Sequence, residues 1–123
     1  MTRYLISFDD GAMDHIPAED LPAVSEAAHA VQQELVDAGA WVFGGGLERQ
    51  RASVVATDGM VTDGPYPEVK EIIGGLTIID VPSLEEALAW AGKIAAGCRC
   101  AQEVREIMAD PEIDAYLRQV GRR

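Results

Sequence analysis

Residues 61–81 read VTDGPYPEVKEIIGGLTIIDV. A loop rich in chain breakers here feeds the most strand-like run of the sequence. Gly64, Pro65 and Pro67 keep the loop out of any helix or central strand, because proline fixes φ and has no amide proton to donate. Beyond Gly75, the residues Leu76, Ile78 and Asp80 alternate with Thr77, Ile79 and Val81. Both faces are mostly apolar, so this strand is expected to be central and covered on both sides. Glu68, Lys70 and Glu71 are held between the loop and the strand. A rigid polar loop on a buried scaffold is where binding residues collect.

Downstream, Pro82 ends the strand. Ser83-Leu84-Glu85-Glu86 reads as a capping box, with Ser and Glu three residues apart able to satisfy each other's backbone amides. Leu84, Ala87, Leu88, Ala91 and Ile94 form the core stripe of the helix it opens, Trp90 flanks that stripe, and Gly97 is the expected stop. Cys98 and Cys100 follow as reduced thiols in a loop. Two ligands are too few for a zinc site, which takes about four. Gln102 to Met108 reads as a charged edge strand. Asp110-Pro111 opens a tail helix, with Asp as cap and Pro at the first position. Ile113, Tyr116, Leu117 and Val120 give that helix an apolar stripe. It is too short to stand alone and must dock on its own domain or on a partner chain.

Upstream, Ala52 to Thr57 and Met60 to Thr62 flank Asp58-Gly59, a two-residue hairpin signal. Ala40 to Phe43 is a short strand broken by Gly44-Gly45-Gly46. Three glycines allow a sharp turn or a close backbone approach, but no Gly-Lys-Ser/Thr follows to make a phosphate loop. A helix from about Asp20 to Gly39 carries Val24, Ala28, Val31, Leu35 and Ala38 at helical spacing. His29 lies on its other face, near Ser25, Gln32 and Val36. Residues 3–8 alternate as a half-buried first strand, with Tyr4, Ile6 and Phe8 on one face.

The chain has 123 residues, 48% of them hydrophobic, and a net charge of −11. That length suits one domain burying roughly two thirds of its unfolded surface, and the composition opposes global disorder. The acidity opposes binding to nucleic acid or to anionic membranes. No apolar run approaches the roughly 20 residues of a membrane helix, and no signal-peptide pattern appears, so a cytoplasmic location is expected. A sheet apolar on both faces, with helices on only one of them, has to cover the other. Homodimerisation is the simplest way.

Asp63 is the leading candidate for a general base or ligand anchor; the plain alternative is turn chemistry, the carboxylate capping backbone amides. Glu68 and Lys70 alternate along an extended segment and could hold a ligand of mixed charge, or be a solvated surface pair. Tyr66 could stack on a ligand or pack under the loop. His29 has the natural pKa range of a proton shuttle. No nucleophile, metal or nucleotide motif is present. Catalysis, if any, is expected to be cofactor-free acid–base chemistry on an unknown small molecule; the alternative is a non-catalytic ligand-binding or regulatory dimer.

Asp63-Gly64-Pro65-Tyr66, Glu68-Val69-Lys70-Glu71, Gly74-Gly75 and the run Leu76–Val81 into Ser83–Leu88 resemble the DGPF-domain proteins of the YCII-related superfamily. The resemblance implies a bacterial α+β protein, with residues 1–109 forming the domain and 110–123 a C-terminal helical extension. It implies a ferredoxin-like split β-α-β fold, here with a β-hairpin insertion, assembled as a dimeric α/β barrel. Related YCII proteins carry a His–Asp pair proposed as catalytic. This chain has Tyr66 where the motif has Phe. By spacing to Gly39, the family histidine falls on Ala28, one residue before His29 and about 100° away around the helix.

Overall fold

The computed structural model describes residues 1–48, 52–64 and 72–120. Its main sheet contains β1 (Thr2–Asp9), β2 (Trp41–Gly46), β5 (Ile73–Val81) and β6 (Glu103–Glu106) in the order β2-β5-β1-β6. All neighbouring strands are antiparallel. The apolar run that opened the sequence reading is therefore an inner strand, β5, held between β2 and β1. The charged strand β6 is at one edge, as its composition indicated. β3 (Ala52–Val55) and β4 (Val61–Gly64) form a separate two-stranded ribbon. Its turn is closed by the Gly59 amide donating to the Ala56 carbonyl and by the Asp58 carboxylate accepting from the Met60 amide.

Helices α1 (Leu21–Asp37) and α2 (Leu84–Cys98) cover one face of the sheet. The core between them joins Tyr4 and Ile6 of β1, Val31 and Leu35 of α1, Ile79 and Val81 of β5, and Ala87, Ala91 and Ile94 of α2. Ser83 caps α2 as expected, its hydroxyl accepting from the Glu86 amide. Two ion pairs clip the helices together at the surface, Lys93–Glu34 at 2.8 Å and Arg99–Asp20 at 2.9 Å. Pairs this exposed contribute little to stability. They mark alignment rather than strength.

Helix α3 (Pro111–Val120) lies on the opposite face, with Ile113 and Leu117 towards Val42 and Ile78. Asp110 caps it, its carboxylate accepting from the amides of Glu112 and Ile113. Arg3, which alternates with Tyr4 on β1 and so points away from the core, pairs with Asp114 of α3 and lies 3.9 Å from Asp80 of β5.

Several boundaries differ from the sequence reading. β2 does not break at the three glycines but runs through them to Gly46, because Gly44, Gly45 and Gly46 pair with Thr77, Leu76 and Gly75. Asp63 is on β4 opposite Ser53, not in the loop. Leu84 and Leu88 of α2 are exposed, whereas Ala87, Ala91 and Ile94 face inward. The inward face thus carries two alanines beside Ile94, and the close approach to α1 is at Gly97, near Ala27. Ala38 is likewise outside, beyond the last turn of α1.

Gly97 does not end α2. The helix continues to Cys98 and is closed by Arg99 in the left-handed region at φ 57°. Gly97 is buried, and a Cβ there would sit 3.4 Å from the Ala27 carbonyl oxygen of α1. A methyl group fits at that distance and a branched side chain does not. Gly97→Ala should stabilise the fold by up to about 1 kcal/mol through helix propensity. Gly97→Leu should destabilise it by about 1–3 kcal/mol through overpacking. Urea unfolding checks both, and shifts of the same sign and size would show that the helices do not meet there.

Candidate ligand cavity

A cavity of about 370 Å³ opens between α1, the C-terminal end of α2 and the helix-covered side of the sheet. Two aromatic side chains stand in its wall, Phe8 of β1 and Trp41 of β2. Each rests over a glycine. Phe8 is paired across the strands with Gly75, whose hypothetical Cβ would come within 2.5 Å of the Phe8 ring. A Cβ on Gly44 would meet the Trp41 ring at 2.8 Å and the Leu76 carbonyl oxygen at 2.9 Å. The glycines are therefore the space the rings occupy. Of the three consecutive glycines, Gly44 makes such a close approach, whereas Gly45 and Gly46 face open space.

The rest of the wall is aliphatic, from Leu21, Val24, Val31 and Leu35 of α1 to Leu76 and Ile94. Its polar groups are the side chains of Ser25, Gln32, Thr77 and Gln102 and the thiol of Cys98. Among the described residues, no Asp, Glu, Lys, Arg or His lines it. Such a wall can hold apolar surface and orient it with neutral donors and acceptors. It supplies no counter-charge.

The candidates from the sequence are placed as follows. His29 is exposed on α1 and shares a hydrogen bond of 3.3 Å with Ser25 Oγ. Ala28, one residue earlier, lines the cavity. Asp63 is exposed on the β3–β4 ribbon. Neither His29 nor Asp63 lines the cavity. Tyr66, Glu68 and Lys70 lie outside the described residues. Sequence reasoning passed over Phe8, Trp41, Gln32, Gln102 and Cys98 as site residues. The available signal was the coincidence of aromatic residues with glycines, and it becomes readable only once the strands are paired.

Cys98 closes α2 and Cys100 follows Arg99; both are free thiols. Burial pushes the Cys98 thiol above its ordinary value. Cys100 is also pushed up, first by burial and then by the neighbouring Cys98 charge, with the hydrogen bond from Gln102 acting in the opposite direction. Gln102 Nε2 also donates to the Cys100 carbonyl at 3.3 Å, tying this turn to the cavity wall. Among the described residues, no group of three or more His, Cys, Asp or Glu is placed to hold a metal ion. No described helix is long and apolar enough to cross a membrane.

The architecture is that of a mixed α+β domain with an antiparallel sheet and three helices, two of which wall a neutral pocket. The chain belongs to the YCII-related family: the YCII-related domain matches residues 3–110. No curated protein matches it.

The raised thiols have a consequence for stability. The folded protein holds these protons more tightly than the unfolded chain does. Their contribution is complete below the ordinary thiol value of 9.0. It is lost as pH rises from there through the higher folded values. Denaturant midpoints measured upward from pH 8 should therefore fall more steeply for the natural protein than for a Cys98→Ala/Cys100→Ala variant. Parallel curves would refute a role for thiol burial.

Proposed function

We propose that this YCII-related protein binds a small, neutral, largely apolar molecule in the cavity between α1, α2 and the sheet, and releases it unchanged. The observation that carries this reading is the neutral wall. The cavity is within the usual size range of ligand pockets, about 300–1,000 Å³. Moving a charged group into it would cost hydration with no counter-charge from the described wall in return. A neutral molecule with an aromatic or aliphatic body could pack against Phe8 and Trp41. Its carbonyl, hydroxyl or amide could bond to Gln32, Gln102, Ser25 or Thr77.

General acid–base catalysis needs a titratable group within hydrogen-bonding reach of the reacting atom. Asp63 and His29 do not line the cavity, His29 meeting it only through its hydrogen bond to Ser25, and burial pushes the Cys98 thiol above its ordinary value. These facts favour binding over turnover.

The assembly we propose is a homodimer. In it, residues 1–109 form the ferredoxin-like domain and 110–123 an added helical extension. A second copy would complete an α/β barrel on the sheet face that α1 and α2 leave uncovered. The strand order β2-β5-β1-β6 and the separate β3–β4 ribbon support this arrangement.

The test is a thermal-shift and native mass-spectrometry screen of neutral amides, ketones and alcohols against matched carboxylates and amines. A neutral compound at 100 times its Kd should stabilise the fold by about 2.7 kcal/mol and be recovered intact. Ala28→Phe, which fills the cavity, should abolish binding. Gln32→Leu should weaken it, and Asp63→Asn and His29→Gln should leave it unchanged. Preference for charged compounds, or a converted product whose formation is lost in Asp63→Asn, would overturn the reading.

A further inference from the structure

Gly44, Gly46 and Gly75 form one patch on the helix-covered side of the sheet. Gly75 of β5 is paired with Phe8 of β1 on one side and with Gly46 of β2 on the other. Gly44 lies two residues before Gly46, on the same face of β2. Residues opposite one another on a sheet face are about 5 Å apart, and residues two apart along a strand about 7 Å. The three positions are therefore neighbours.

Two of them are covered by the protein's own rings. A Cβ would come within 2.5 Å of the Phe8 ring at Gly75 and within 2.8 Å of the Trp41 ring at Gly44. Gly46 differs. It lines the cavity, yet among the described residues a Cβ there would meet no atom within 4 Å. Its φ is not in the left-handed region, unlike those of Gly11, Gly39 and Gly59. Neither backbone angle nor crowding by a described residue calls for glycine at this position. β2 is an edge strand of the sheet, and glycine weakens a strand where a β-branched residue would suit it.

We infer that the ligand supplies the third ring: the cavity selects neutral molecules carrying a planar aromatic ring, and Gly46 is the specificity-determining residue on whose bare backbone that ring lies. This rests on the binding reading above. A ring over Gly46 would stand beside Phe8 and Trp41 at the spacing the strands set, about 5–7 Å, where aromatic rings attract one another edge-to-face or offset. A saturated ring is thicker and has no such quadrupole. The polar end of the molecule would meet Thr77, the cross-strand partner of Gly44, or the amides of Gln32 and Gln102.

The experiment is ligand-observed NMR titration of the full-length chain with matched neutral pairs: benzamide and cyclohexanecarboxamide, acetophenone and cyclohexyl methyl ketone, benzyl alcohol and cyclohexylmethanol. The natural protein should bind the aryl member of a pair about tenfold more tightly, the size expected of two ring contacts. Gly46→Val should bring that ratio to about one with an unchanged urea midpoint, and Gly46→Ala should lower it part of the way. Equal binding of aryl and saturated members by the natural protein, or a ratio that survives in Gly46→Val, overturns the inference and leaves the cavity reading standing. So does a lower urea midpoint in both variants, which would make Gly46 a requirement of the fold. Failure of these six compounds while other neutral molecules bind overturns the inference alone. Failure of every neutral molecule overturns both.

Discussion

β1 and β5 pair antiparallel from Thr2 opposite Val81 to Phe8 opposite Gly75. A slip of one residue would turn Ile6 and Ile79, both fully buried, out of the core and bring Arg3 and Asp80 into it. The same register sets Phe8 over Gly75 and so forms one wall of the cavity. It also puts Arg3 beside Asp80 on the outer face, where α3 finds its anchor. Core, cavity and tail helix therefore depend on a single pairing. The bulge between Phe8 and Asp9 shifts it by one residue, and Asp9 still pairs with Ile73 before the chain leaves for α1.

What was legible in the sequence follows from the range of the interactions. The strand from Gly75 to Val81, the helix from Asp20 and the caps at Ser83 and Asp110 are local patterns. Periodicity and capping are enough to read them. The edge position of β6 was legible because charge on both sides of a strand is tolerated only there. The three glycines were legible as special but not in their role. Taken alone they look like a break, and only β5 turns them into a strand. The inward face of α2 was misread for a similar reason. Leu84 and Leu88 are stronger hydrophobes than Ala87 and Ala91, but the phase of the helix turns the alanines into the core and leaves the leucines outside.

The site was less legible than the fold. Motif reasoning favours charged and titratable side chains, so it settled on Asp63, His29, Glu68 and Lys70. Of these, Asp63 and His29 do not line the cavity, Glu68 and Lys70 lie outside the described residues, and the described wall is made of residues that look like core: Phe8, Trp41, Leu35, Ile94. Their function as a wall comes from imperfect filling, a three-dimensional property with no sequence signature. Helical phase adds a second obstacle. Ser25, Ala28 and Gln32 turn into the cavity while His29, one residue from Ala28, faces solvent.

Charge is distributed in a way that bears on what this fold can select. The chain carries −11 overall, and the described acidic groups lie away from the neutral cavity. The surface field repels anions at long range, yet among the described residues the cavity wall holds no charged partner for a cation. Under the binding proposal, discrimination inside the pocket would come from shape and from the few neutral donors and acceptors on α1, β5 and the turn after α2. The glycines set that shape, because any side chain at Gly44 or Gly75 would displace Trp41 or Phe8. At Gly75 a single added methyl group meets chiefly the Phe8 ring and would change the outline of the pocket, whereas at Gly44 it also meets the backbone of β5 and would disturb the strand pairing itself.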